Sequence, residues 1–181
     1  MNPLLRTALA LVVAGLLAGS LPAQNLEIHY INVGWGGSVL VRGPNGTTVL
    51  LEGGRSGMGD AAVVPYLQSV GIPASAGLDY MILGHRHSDH VSGLEEVIES
   101  GYDVHVASYE NGSPEQHASF DQWVSAAQTT AAGAPVPMPV GTVIPLGNGA
   151  TMTCVARMGQ LIGGGSVFVD SENDRSIALL V

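Results

Sequence analysis

The chain of 181 residues has no lysine, one cysteine, and only 12% charged residues. Each scarcity excludes something. Its six cationic residues are all arginine and stand against 15 acidic ones, for a net charge of −9. A surface that grips nucleic acid needs clustered Lys and Arg to displace counterions, and none is encoded. A phosphodiester substrate stays open, because bound metal ions carry positive charge of their own. With Cys154 alone there is no internal disulfide. Its neighbours, Met152 to Ala156, are largely apolar, so Cys154 is expected inside a strand rather than as a ligand or nucleophile. The longest apolar run, Leu9–Ala18, falls short of the ~20 residues needed to span a bilayer.

That run belongs to a leader. Arg6 precedes it, and Gly19-Ser20-Leu21-Pro22-Ala23 follows. The pattern predicts a secretory signal peptide over residues 1–23, cut after Ala23 or Ser20. The protein is then secreted or periplasmic. No cysteine stands where a lipoprotein would carry one, so no membrane anchor is expected after cleavage. The chain is 46% hydrophobic, and residues 26–181 are long enough for one domain with a real core.

What is present concentrates in one stretch: Tyr80-Met-Ile-Leu-Gly-His85-Arg86-His87-Ser88-Asp89-His90. Three of the six histidines fall within it. Tyr80–Leu83 reads as a buried strand. Ser92-Gly93-Leu94-Glu95 reads as a capping box opening a helix, with Leu94, Val97 and Ile98 at helical spacing and Gly101 as its stop. Side chains two apart on extended backbone point the same way, so His85 and His87 can converge on one point, with Asp89 and His90 facing a second nearby. Imidazole and carboxylate donors suit zinc, manganese or iron. Two adjacent sites are the arrangement that activates water and stabilises a leaving oxygen. Arg86, pointing the other way, is expected to be structural.

Around this stretch the chain alternates between strands and helices. Leu26–Val33, Val39–Arg42 and Thr47–Leu51 read as strands, the last two joined by the Pro44-Asn45-Gly46 turn and hence antiparallel. Asp60–Val70 reads as a helix with Pro65 in its first turn. Tyr102–Ala107 is a strand, and a helix is expected from Ser113 to about Ala132. Alternate prolines in Ala134–Pro139 make an extended linker that is neither helix nor central strand. Thr142–Leu146, the Asn148-Gly149 turn and Ala150–Ala156 form a second hairpin, and Ser176–Val181 a last strand. His29, His105 and His117 are expected at packed or surface positions.

His-x-His-x-Asp-His between strand and helix resembles the signature of the metallo-β-lactamase superfamily. The stretch Gly34–Gly54 is similar to the β-lactamase-like domain of bacterial competence (DNA-uptake) proteins. It departs from them at Trp35 and Gly37, which replace Gln and Asp, and at Glu52, which replaces a hairpin-end Asp. Glu52 is expected either as an outer acceptor orienting a metal-bound histidine or as a solvated carboxylate.

The resemblance implies an α/β (α+β) protein, an αββα sandwich of mixed sheets with flanking helices, present here in part. It implies an exported metal-dependent hydrolase, most simply with two zinc ions, Mn or Fe being alternatives. His85, His87, Asp89 and His90 would be ligands and Asp89 catalytic. Water activated at the metal would attack an ester, phosphodiester, thioester or lactam. In the family a later Gly-Asp bridges the metals and further histidines follow. Neither that Gly-Asp strand nor the later histidine-bearing segment beyond it is found before Val181. The chain is thus expected to be an incomplete version of a longer protein, or a short relative serving as a binding or structural module.

Overall fold

Alternation along the central strands decides the architecture, because they bury their two faces against different partners. The computed structural model describes residues 25–181, and the leader predicted over residues 1–23 lies outside them. Strands β1 (Glu27–Tyr30), β2 (Val39–Arg42), β3 (Thr48–Leu51), β4 (Leu78–Ile82), β5 (Val104–Glu110) and β6 (Val136–Pro137) form one sheet in that spatial order. The β1–β2 and β2–β3 pairs are antiparallel, while β3–β4, β4–β5 and β5–β6 are parallel. Pro137 sits on the edge, where a missing N–H costs no ladder bond. A second, antiparallel sheet contains β7 (Val143–Gly147), β8 (Ala150–Arg157), β9 (Gln160–Leu161) and β10 (Ala178–Leu180).

Leu40, Leu50 and Met81 face one side of the first sheet and pack on the helices. Their neighbours Val41, Val49 and Ile82 face the other side and meet Ile144, Leu146, Met152 and Cys154 of the second sheet. Cys154 is fully buried, and its burial raises the thiol pKa, so it behaves as a small hydrophobe. None of the helices contributes to this second cluster. The layers are therefore helices, sheet, sheet, with both sheets mixed or antiparallel as expected. Among the described residues no helix is long and apolar enough to cross a membrane.

The helical layer consists of a π-helical turn, Gly59–Val63, running into α1 (Val64–Ser69), then α2 (Ser88–Glu99) and α3 (Ala118–Ala127). Helix α2 buries Val91, Leu94, Val97 and Ile98, each worth about 1.5–3 kcal/mol of apolar burial. It stops at Gly101, whose φ is +92°. Gly101 N–H donates to Ile98 O and Tyr102 N–H to Val97 O, the paired bonds of a Schellman ending.

Two helix starts differ from the sequence expectation. Helix α2 begins at Ser88, not at Ser92, so Asp89 and His90 lie in its first turn. His87 is the N-cap, and its carbonyl closes the turn by accepting from His90 and Val91 N–H. Ser92 is buried inside the helix. Tertiary contacts override its capping preference: Gly53 N–H donates to His90 O at 2.7 Å and Gly93 N–H to Gly54 O at 3.1 Å. Helix α3 begins at Ala118, because groups of the 113–115 segment are bound elsewhere. Ser113 Oγ donates to Glu172, and Glu115 O accepts from Arg86 Nη1 at 2.9 Å.

The α2–β3 junction fixes the site, and it is tight. A Cβ on Gly93 would lie 1.9 Å from Gly53 O. Gly93→Ala is expected to cost about 1–3 kcal/mol, read as a lower urea midpoint with an unchanged slope. A parent-like midpoint would show that the helix has room to slide.

Candidate metal centre

The end of β3, the loop after β4 and the first turn of α2 meet at one place. Leaving β3, the backbone turns through Glu52 at φ +63°, a left-handed conformation that costs a non-glycine residue about 1 kcal/mol or more. That turn carries the Glu52 carboxylate to Gly84, whose N–H donates to Oε1 at 3.0 Å. Oε2 lies 3.6 Å from His90 Nδ1. Gly37 lies alongside, and a Cβ there would be in ordinary contact with His90 Nδ1 at 3.5 Å and Glu52 Cγ at 3.6 Å.

His85 is buried, and its ring centroid is 4.1 Å from that of His90. Ser176 Oγ lies 3.3 Å from His85 Nδ1 and donates its own hydrogen to Asn173 O. The serine oxygen then accepts from Nδ1–H, which leaves the lone pair of His85 on Nε2. His85 Nε2, His90 Nδ1 and Glu52 Oε2 are all shielded from solvent and have no hydrogen-bond partner. Among the described residues, Glu52, His85 and His90 form the one group of three whose donor atoms lie within 4.8 Å of one another. Buried polar atoms without partners cost about 1–3 kcal/mol each. Three converging on one point, each with a lone pair, fit a divalent cation.

At His85 the electrostatics agree with that fit, while at Glu52 and His90 they favour protons that an ion would have to displace. Burial, with His90 and His87 close by, pushes the His85 pKa down to about 4, so its lone pair stays free at neutral pH. Burial raises the Glu52 pKa. At His90, burial opposes the charged form, but the Glu52 and Asp89 carboxylates outweigh it and raise the pKa.

The other predicted residues lie around this trio. Asp89 Oδ2 is 3.7 Å from His90 Nε2. His87 is 4.9 Å from His85 and 5.7 Å from His117, ring to ring. Alternation along an extended strand paired His85 with His87. Those two rings do stand together, and because the chain enters α2 at Ser88, His90 also folds back over His85. Glu52, expected as an outer acceptor or a solvated carboxylate, is half-buried beside His90. His29 contacts Tyr66 and Glu27, and His105 is exposed near Asp103.

Arg86 is structural, as its place between two histidines suggests. Its guanidinium is buried against Glu110, with Nη2 at 2.8 Å from Oε2, and lies over the Phe120 ring. Its backbone N–H donates to Glu172 Oε1 at 2.8 Å. Glu172 also accepts from Asn111 and Ser113. Burial alone would raise the Glu172 pKa, but these bonds and nearby His85 lower it. Glu110, Glu172, Ser176 and His117 were not singled out by the sequence as site residues.

No protein-family model matches the chain, and no curated protein does. Among solved structures it is similar to metallo-β-lactamase SMB-1, seen with 2-mercaptoethanesulfonate and with mercaptoacetic acid. Identity is 17% over 85% of this chain and 60% of that one, with a TM-score of 0.52. A metallo-β-lactamase family protein from Thermus thermophilus is similar at 15% identity over 80% and 55%, with a TM-score of 0.45. At such identities the likeness is one of fold, and the fold is that of the metallo-β-lactamases. The chain spans 60% of the length of the SMB-1 structures.

Proposed function

We propose that the chain is an exported, divalent-metal-dependent hydrolase of small esters, thioesters, lactams or phosphodiesters. The observation that carries this is the convergence of three buried, unpartnered donors from Glu52, His85 and His90. These residues would hold the ion, with zinc favoured by the donor set and Mn or Fe as alternatives. When bound, such an ion acidifies water toward neutrality and polarises the bond to be cleaved. Asp89, in the first turn of α2, takes the proton of the attacking water on Oδ2 and returns it to the leaving group. Ser176, 3.3 Å from His85 Nδ1, fixes the orientation of the His85 ring.

A groove of about 290 Å³ between the sheets reaches Glu52 and Gly84 and is otherwise lined by apolar side chains such as Val39, Leu51 and Ile177. It supports a small substrate with an apolar portion. The net charge of −9 favours such molecules over long DNA. The likeness of Gly34–Gly54 to competence proteins favours a phosphodiester.

The test is turnover by the zinc-loaded protein of a chromogenic lactam, p-nitrophenyl acetate, an acyl thioester and bis(p-nitrophenyl) phosphate. Asp89→Ala is expected to lower kcat on the accepted substrate about 100-fold, the lower range for lost proton transfer. An Asp89→Ala protein as active as its parent would overturn the assignment. Retained metal with no turnover of any substrate would make the chain a metal-binding module of the same fold.

A further inference from the structure

We propose that Glu27, His29 and Tyr66 form a metal-independent acyl-transfer site, in which the Tyr66 hydroxyl captures the acyl group of a small activated ester. The cluster lies at the free edge of the first sheet, away from the Glu52–His85–His90 trio. Glu27 and His29 stand on β1, and Tyr66 stands on α1. Side chains two apart on a strand share a face, so Glu27 and His29 point together. Ile28 and Tyr30 point the other way and line the groove between the sheets. His29 pairs with Leu40, which packs on the helices, and Tyr66 arrives from that side.

The three groups form one hydrogen-bonded line. Tyr66 Oη lies 3.0 Å from His29 Nδ1, and Glu27 Oε2 lies 3.3 Å from His29 Nε2. A carboxylate only accepts, so in the neutral imidazole Nε2 carries the hydrogen and donates it to Glu27. Nδ1 then holds the lone pair and accepts from the Tyr66 hydroxyl, which has no other partner among the described residues. Hydroxyl, imidazole base and orienting carboxylate, in that order, are the groups that activate a hydroxyl for attack. The imidazole is shielded, its side chain 19% exposed, while the Glu27 side chain is open to solvent at 45%. A small ester can therefore reach the line from outside.

Arg42 completes the corner. It faces Glu27 across the β1–β2 ladder, with Nη1 4.0 Å from Glu27 Oε2 and 3.3 Å from Val70 O, just past α1. It thus ties Glu27 to the helix that carries Tyr66. Its other N–H groups have no partner among the described residues, which leaves its charge free to meet a developing oxyanion.

The step balances without a metal or a redox partner. Tyr66 Oη bonds to the acyl carbon as the bond from that carbon to the leaving aryloxide breaks. The phenolic proton passes to His29 Nδ1, Glu27 stabilises the imidazolium, and the proton departs with the aryloxide. Water deprotonated by the same nitrogen then cleaves the tyrosyl ester. The carboxylic acid leaves, and Tyr66 regains its hydrogen.

The experiment is acetylation of the full chain by p-nitrophenyl acetate in EDTA, which strips any divalent ion. Nitrophenol release is followed, and the acetyl group is located by peptide mapping of acid-quenched samples. The chain has no lysine to compete for it. The parent is expected to show a burst, with the acetyl on Tyr66 ahead of Tyr30, although Tyr30 is 82% exposed. Tyr66→Phe keeps the ring and should lose the burst. His29→Gln should slow Tyr66 acetylation about 100-fold, the lower range for a lost general base, with Tyr30 acetylation as in the parent. His105→Ala, which removes an exposed histidine, should match the parent. Acetyl on Tyr30 ahead of Tyr66, a Tyr66 left unmodified, a burst that survives Tyr66→Phe, or an undiminished Tyr66 rate in His29→Gln would each overturn the site. Should the variants fail to fold, the order of acetylation in the parent decides alone. With EDTA present throughout, the outcome is independent of the metal-dependent reading.

Discussion

His85→Ala is expected to weaken zinc binding about 100- to 1,000-fold while leaving the metal-free fold intact. Structural zinc sites supply roughly 10–16 kcal/mol over about four ligands, so losing one donor removes a few kcal/mol. His85 is the most exclusively committed donor of the trio. Its Nδ1 is occupied by Ser176, its Nε2 has no partner in the protein, and it is buried. Removing it from the metal-free chain deletes an unsatisfied polar atom, so little stability is lost with it. Competition titration with a chromogenic chelator gives the affinity, and urea unfolding in EDTA gives the stability. Unchanged affinity would remove His85 from the site.

The same residue sets a pH signature in the metal-free protein. Burial and the neighbouring imidazoles lower its pKa to about 4 from 6.5. Between those values the unfolded chain takes up a proton that the folded chain refuses. The His85 contribution to stability is therefore intact above pH 6.5 and is lost as pH falls through about 4. His90 and Glu52, both raised, act with the opposite sign over neighbouring ranges, so the His85 effect is isolated by comparing parent with His85→Ala. The parent should lose more stability than the variant between pH 7 and 5. Parallel curves would show that His85 protonates freely in the folded chain.

What the sequence disclosed and what it withheld divide along contact range. The β2–β3 hairpin was legible because an Asn-Gly turn and two alternating runs are local signals, and the observed register pairs Arg42 with Thr48 across it. The burial of Cys154 was legible from its apolar neighbours. The helix starts were not. Ser92 and Ser113 carry real capping chemistry, but Gly53 and Glu172 decide where the helices begin. The anchors of the histidine loop were hidden for the same reason. Glu172 lies 86 residues from the amide it binds, and nothing near it in sequence marks it as a partner of Arg86. His117 follows a proline-containing turn that looked like a helix opening, and only the fold brings it across from His87.

Glu110→Ala is the stability counterpart, with an expected cost of about 3–5 kcal/mol. The residue is buried, and its Oε2 receives Arg86 Nε and Nη2 as well as Gly112 N–H. Truncation leaves a buried guanidinium facing Phe120 with no counter-charge, which is where buried ion pairs prove costly to break. Domains of this size have about 5–15 kcal/mol in hand, so Tm should fall by roughly 6–20 °C. Replacing both partners tests the cause. Arg86→Met with Glu110→Leu removes the charges together and should recover most of the loss, because the expense lies in the orphaned charge. The double variant should still bind zinc about 10- to 100-fold more weakly than the parent, as expected when the support behind metal-bound histidines is lost. Arg86 lies between His85 and His87, and its guanidinium holds that loop to Glu115 O and the Phe120 ring. If Glu110→Ala costs under ~1 kcal/mol, the pair behaves as an exposed one, and rigid support of the histidine loop must come from Glu172 and Ser176 instead.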